Sequence, residues 1–195
     1  MSTEGMRDDR FIASLERLAG RTEAGDFNLK QRDSAALARL RRGLDRKPGE
    51  CTDMLPYVIP FLPGNSRMDH YFLTASLFAH HPPTDGRAGL SIGAAIHAVW
   101  QERDGIESIE KRFVVLLNAH VDELPHHLRQ VIGLIKAQQS PAPLDYRMLL
   151  QHLAHWNNPD RWVQMLWARD FWGHKADPNA DSRPIETDAQ APEAS

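Results

Sequence analysis

The sequence predicts an all-α protein of two packed helical lobes, residues 1–105 and 106–173, followed by a disordered acidic tail at 174–195. Three observations predict it. Apolar residues recur at spacings of three and four along most of the chain, the period of a helix with one buried face. Strand signals are nearly absent, because the one β-like run, Tyr57-Val58-Ile59, lies between Pro56 and Pro60 and reads as an extended connector. The last segment carries Pro178, Pro184 and Pro192, with Ile185 as its only large apolar residue, so burial cannot offset the entropy of ordering it.

The periodicity places helices near 7–20, 33–46, 67–80, 90–103, 108–120, 125–138, 145–156 and 159–172. In the second, Leu37, Leu40 and Leu44 fall within about 60° at 100° per residue and face the core. Ser108 is a candidate N-cap for the fifth, whose buried arc is Ile109, Phe113, Leu116 and Leu117. Pro125 suits the first turn of the sixth, where a missing N–H is no loss. Leu128, Val131, Ile132 and Ile135 face inward there. Gly133 costs that helix about 1 kcal/mol against alanine, and either admits another backbone or relieves packing. The last helix has Asn158 as a candidate N-cap, Pro159 in its first turn and Gly173 as its stop. Trp162, Val163, Met165, Leu166, Trp167, Phe171 and Trp172 cover most of its circumference, which suits a buried helix or a subunit interface. The proline- and glycine-rich breaks at 47–64, 82–89 and 140–143 are loops.

Composition narrows the class. A chain of 195 residues, 42% apolar and 25% charged, reads as soluble and globular with a substantial core. No apolar run approaches the ~20 residues of a membrane helix, and Met1 to Arg10 lacks the apolar stretch of a secretory signal. No membrane partner is expected. Cys51 is the single cysteine, which allows no internal disulfide and fits a reducing, cytoplasmic setting.

Charge is unevenly spread. The tail alone accounts for the formal net charge of -3 and leaves the body neutral. Against that body stand Lys30, Arg32, Arg39, Arg41, Arg42, Arg46 and Lys47, opposed locally only by Asp33 and Asp45. Such an excess points to a polyanion, most commonly a phosphate backbone. On the helical wheel Arg32, Arg39, Arg42 and Arg46 fall within about 80° and form an outward stripe. Arg41 sits nearer the leucine edge, where it pairs with a carboxylate or snorkels. The stripe lacks the acids at helical spacing that a merely solvated face usually carries. Further candidates are Lys111 and Arg112 on the fifth helix, Arg129 and Lys136 sharing one side of the sixth, and Arg161, which shares the polar face of the last helix with Gln164. Arg169 falls among Trp162, Met165 and Leu166 on that wheel and reads as a paired, structural arginine.

Catalytic signals are weak. The chain has no HExxH, CxxC, GxSxG, Walker A or GxGxxG motif. Of the ten histidines, His80-His81 and His126-His127 are adjacent pairs that cannot converge from a helix, while His152 and His155 could share a face. Zinc needs three or four convergent ligands. Glu16, Asp69 and Glu107 are acids that nothing singles out, and Cys51 has no motif pointing to a partner. No metal, no cofactor and no catalytic residue is expected.

The order of segments resembles the CasB family, the small subunit of the type I-E CRISPR interference complex, Cascade. The likeness runs from Ala38-Arg39-Leu40-Arg41-Arg42 to Leu55-Pro56-Tyr57-Val58-Ile59-Pro60-Phe61 and Leu90-Ser91-Ile92-Gly93. It is strongest over Ile109–Leu117 and Glu123-Leu124-Pro125-His126-His127-Leu128-Arg129. It continues through Leu144-Asp145-Tyr146 and Trp156, then Val163-Gln164 and Trp167–Phe171. Ala94 and Ala95 stand where family members often carry a basic residue. The resemblance implies a non-enzymatic helical subunit present as two copies beside the crRNA backbone subunits and the large subunit. It also implies contacts to target DNA and its displaced strand that stabilise the R-loop, with crRNA met only indirectly. Carried over, Arg39, Arg41 and Arg42 match one basic segment, Lys111 and Arg112 the next, and Arg129 a leucine-arginine pair. The alternative reading is a protein–protein scaffold without direct nucleic-acid contact.

Overall fold

The computed structural model describes residues 3–62 and 68–173. Among them the regular structure is helical: α1 (Thr3–Leu18), α2 (Ser34–Arg41), α3 (Leu55–Val58), α4 (Met68–His80), α5 (Ile92–Glu102), α6 (Glu107–Leu117), α7 (Leu124–Lys136), α8 (Tyr146–Ala154) and α9 (Trp162–Trp172). No strand forms among the described residues, and only two isolated β-bridges occur. The tail expected at 174–195 lies outside the described residues.

The centre of the molecule is α4. Tyr71, Phe72, Thr74, Ala75, Ser76, Leu77, Phe78 and Ala79 are all buried, so this helix is enclosed on nearly every side. It packs between α2 and α7, with α8 also against it. The chain then doubles back: α8 lies on α1 and α4, and α9 makes the most extensive helix–helix contact, with α5. One buried core runs from Phe11 through Phe113 to Phe171.

Two family-like segments have local physical reasons. Ser91 caps α5 by accepting from the Ala94 amide at 3.1 Å, and its hydroxyl also donates to Asp170 of α9. A Cβ on Gly93 would lie 2.2 Å from the Trp167 carbonyl oxygen, so only glycine admits the α9 backbone there. Leu90 bridges Leu144, and Asp145 caps α8 by accepting from the Met148 amide at 2.8 Å. Tyr146 donates to the carbonyls of His81 at 2.7 Å and Leu77 at 3.3 Å.

Four local expectations are corrected. Residues 52–61 are not an extended connector but successive short helical pieces, Thr52–Met54, α3 and Ile59–Phe61. Pro56 and Pro60 each fall in a first turn, where proline is tolerated, so they restart the coil without preventing it. The helix expected over 33–46 ends at Arg41 and tightens into a 3-10 turn, Arg42–Asp45. Helix α6 starts at Glu107 after Ile106, so Ser108 is not its cap. Helix α9 starts at Trp162 because the Asn158 side chain accepts from the Asp160 amide at 2.9 Å and builds a turn instead.

Candidate nucleic-acid interface

The 3-10 tightening redistributes the arginines. Asp33 is the α2 N-cap, accepting from the Ala36 amide at 2.8 Å, so Arg32 stands outside the helix in extended conformation. Its guanidinium donates to the Pro83 carbonyl at 2.9 Å and the Ala19 carbonyl at 3.4 Å. Burial, then neighbouring Arg41, lowers its pKa from the ordinary arginine value. Arg39 donates to the Tyr57 hydroxyl at 3.1 Å, a bond that raises its pKa. Arg42 pairs with Asp53 at 2.6 Å. The four residues therefore do not form the continuous stripe drawn on the wheel. Arg39 and Arg42 turn toward the 52–58 segment, Arg32 braces two loops, and Arg46 lies past the coil.

What the fold builds instead is a groove over the first half of α4, an open cavity of about 1030 Å³. Arg46, Lys47 and Leu44 form one wall, His126, Arg129 and Asp122 the other, and Asp69, His70 and Leu73 of α4 the floor. Gly43 sets the first wall in place. A Cβ there would lie 2.1 Å from Met54 Sδ and 2.6 Å from Ser76 Oγ, so the bare backbone lets the 42–45 turn rest on α4.

At the other end of α4, Arg41 does what the wheel suggested in kind, though its partner is a carbonyl. It donates from Nε to Ala79 O at 3.1 Å, at the negative end of the α4 dipole. Next to it is half-buried His80, whose pKa is lowered first by burial, then by Lys136, Arg41 and His81. Lys136 and Arg129 lie seven residues apart on α7, about 10 Å along the axis, so this one helix serves both ends. The nearest atom a Cβ on Gly133 would meet is His80 Nε2 at 4.0 Å, so crowding does not require glycine there.

Other candidates lie elsewhere. Lys111 pairs with Glu107 at 2.8 Å on the exposed side of α6, and Arg112 is exposed beside it. Neither lines the cavity. Arg161 adopts a left-handed conformation, φ 50°, and donates to the Leu117 carbonyl at 2.9 Å and Asn118 Oδ1 at 3.3 Å. It braces α9 against the end of α6. Gln164, expected beside it on a polar face, is buried and donates to the Trp156 carbonyl at 2.8 Å. Arg169, expected to be paired, is exposed, while Trp162 and Met165 are 38% and 62% exposed.

His152 is buried and accepts from Trp167 Nε1 at 2.8 Å, and burial lowers its pKa. The His155 and His152 rings both pack on Trp162, at 5.5 and 5.6 Å between centroids, so the two histidines share a face as their spacing suggested. No group of three or more His, Cys, Asp or Glu is placed to hold a metal among the described residues. The groove residues that sequence reasoning missed are Lys47 as a wall residue and His70 and His126. Its two walls come from segments some eighty residues apart, so no local pattern joins them.

Comparison with known proteins is consistent across sequence and fold. The family model for CRISPR-associated protein Cse2 matches residues 36–172. A curated relative, CRISPR-associated protein Cse2 of Thermus thermophilus, is 32% identical over 182 residues, covering 91% of this chain and 97% of its own length. A crystal structure of a Cse2-family protein from the same organism superposes with TM-score 0.68 at 32% identity, over 89% of this chain and 99% of that one. CasB from M. ruber gives TM-score 0.66 at 28% identity, over 91% and 98%. A chain of a CRISPR RNA-guided surveillance complex shares the fold, with TM-score 0.64 at 20% identity over 88% of this chain and 93% of its own.

Proposed function

Because the chain belongs to the Cse2 (CasB) family of CRISPR-associated proteins, we propose that it is a small, non-catalytic subunit of a crRNA-guided type I-E surveillance complex, stabilising the R-loop through backbone contacts in the α2–α7 groove. The observation that carries this reading is the groove itself. Arg46, Lys47 and Arg129 line its cavity, and Arg41 and Lys136 flank the far end of α4. Cations on two walls neutralise phosphates and release counterions without reading bases. That suits a system in which guide pairing supplies the sequence and strand exchange is nearly balanced, so modest backbone contacts tip it. The partners on this reading are the crRNA backbone subunits, the large subunit, a second copy of this chain and target DNA with its displaced strand. The setting is the cytoplasm.

Replacing Arg46 and Arg129 with alanine should weaken DNA binding about equally for all sequences. It should lower the salt slope by about 0.9 per lost contact on duplex and ~0.7 on single strand. In the reconstituted complex, leaving out this subunit should shorten R-loop lifetime; an unchanged lifetime overturns the reading.

The exposed Trp162 and Met165 on α9, with Val114 and Val115 on α6, favour a second role in docking a neighbouring subunit. A subunit that binds no nucleic acid at moderate salt, yet still assembles, would leave that role as the whole function.

A further inference from the structure

The large cavity is not lined by charge alone. Leu44, Leu73, Leu124 and Pro125 share its lining with Arg46, Lys47 and Arg129. A smaller recess of about 40 Å³ shares Leu44, Leu73 and Pro125 with it and runs inward to buried Met54 and Phe72 beside Gly43. Backbone phosphates account for the cations and leave the apolar recess without an occupant. The three cations stand against two carboxylates on the lining, Asp69 and Asp122, and Asp122 is shared with His120 at 3.2 Å. Such a site fits a ligand with one apolar side chain beside acidic groups.

The chain itself carries a segment of that description. Pro184-Ile185-Glu186-Thr187-Asp188 places the only large apolar residue of the 174–195 tail beside two of its five acids. The tail lies outside the described residues, and the family match stops at residue 172. Its tether is long enough. Asn157 lines the cavity, and five residues lead from it to Trp162 at the start of α9. Those five extended, plus the helix to Gly173 at 1.5 Å per residue, put Gly173 at most about 35 Å from Asn157. The twelve residues from Gly173 to Ile185 span up to about 40 Å.

Resting on the groove reading above, we infer that residues 184–188 of this chain seat in the cavity, with Ile185 in the recess and Glu186 and Asp188 toward Arg46, Lys47 and Arg129, where they hold the place of a nucleic-acid strand. Burial of Ile185 takes apolar surface out of water and orders only a few residues. The acids meet the same cations that phosphates meet, so segment and strand exclude each other. A tethered segment has an effective concentration on the order of millimolar, so even a weak contact keeps the groove occupied. A strand then binds only the molecules whose groove is open, and apparent affinity falls by that fraction. The tail sets a threshold: dilute strands are held off, while a strand presented at high local concentration displaces the segment.

The test compares the full chain with Ile185→Asn/Glu186→Gln/Asp188→Asn. Backbone amide signals are compared by NMR without nucleic acid at two protein concentrations, and affinity is measured for a fluorescein-labelled oligonucleotide of arbitrary sequence. The expected result is movement of the amides of residues 43–48 and 121–129 at both concentrations. The variant should also bind the oligonucleotide at least about threefold more tightly, as follows if the segment fills the groove two-thirds of the time. Asp177→Asn/Asp181→Asn, which removes two acids outside the segment, should give a smaller gain. Unmoved groove amides overturn the inference. So do changes confined to α6 and α9, where exposed Arg112 and Arg169 lie nearer the start of the tail, and so do changes that vanish on dilution, which would assign the seat to a second copy's tail. An equal gain from Asp177→Asn/Asp181→Asn reduces the effect to net charge and overturns it too. Arg46→Ala/Arg129→Ala separates the two levels. If that variant binds the oligonucleotide like the wild type while the groove amides still respond to the tail, the groove reading fails and the seat stands. If it loses affinity and the groove amides do not respond to the tail, the seat fails and the groove reading stands.

Discussion

A methyl group on Gly93 would sit 2.2 Å from the Trp167 carbonyl oxygen, a backbone atom of α9 that cannot swing aside. Gly93→Ala should therefore lower stability by about 2–3 kcal/mol through overpacking, read as a lower urea midpoint with unchanged slope. Next to it, Ser91 serves two partners at once, the Ala94 amide and the Asp170 carboxylate. The sequence showed Ser91 and Gly93 only as part of a family-like string, because the Asp170 partner of the one and the Trp167 backbone beside the other lie in a helix that begins some seventy residues later. Arginines were legible to different depths. That Arg41 differs from its neighbours could be read from its angle to Leu37 and Leu40. That Arg42 would find Asp53, or Arg161 the Leu117 carbonyl, could not, since those partners arrive by tertiary packing.

Among the elements, long periodic helices were the most readable. Helices α4 to α8 lie where their apolar spacing put them, within a few residues, and α7 carries Pro125 in its first turn as expected. Short elements were not. The piece 52–61 coils because its prolines occupy starting positions, and Val58 is fully buried as a result. The end of α2 departs from 100° per residue, and with it the outward stripe dissolves. A prediction follows at this scale. Arg39→Ala/Arg42→Ala should lower the salt slope of nucleic-acid binding by less than Arg46→Ala/Arg129→Ala, because the first pair faces Tyr57 and Asp53 and the second lines the cavity. Equal slope changes in filter-binding titrations would remove the distinction. The Arg42–Asp53 pair itself is solvent-exposed, and a double-mutant cycle should return no more than about 1 kcal/mol.

At the scale of the whole molecule, His80, His81 and His152 all have pKa values lowered chiefly by burial. Such an imidazole binds its proton more readily once unfolded. The stability it permits is present above pH ~6.5 and is lost as pH falls through its folded pKa. Thermal melts should show Tm falling between pH 7.5 and pH 5.5, ahead of carboxylate titration; a flat Tm would mean that these rings stay accessible to protons in the fold. The all-helical class was readable from periodicity, whereas the groove was not, because it exists only where α2 and α7 come to rest on the same helix. Gly43 gives that meeting a further meaning. Its missing side chain lets the 42–45 turn settle on Ser76, and so it acts as a gauge block for the width of the channel. Grip on a nucleic-acid strand becomes open to test by volume alone: one methyl at position 43 must displace the side-chain ends of Met54 and Ser76 or lift the 42–45 turn, and only in the second case would hold on the backbone change while every charge stayed in place.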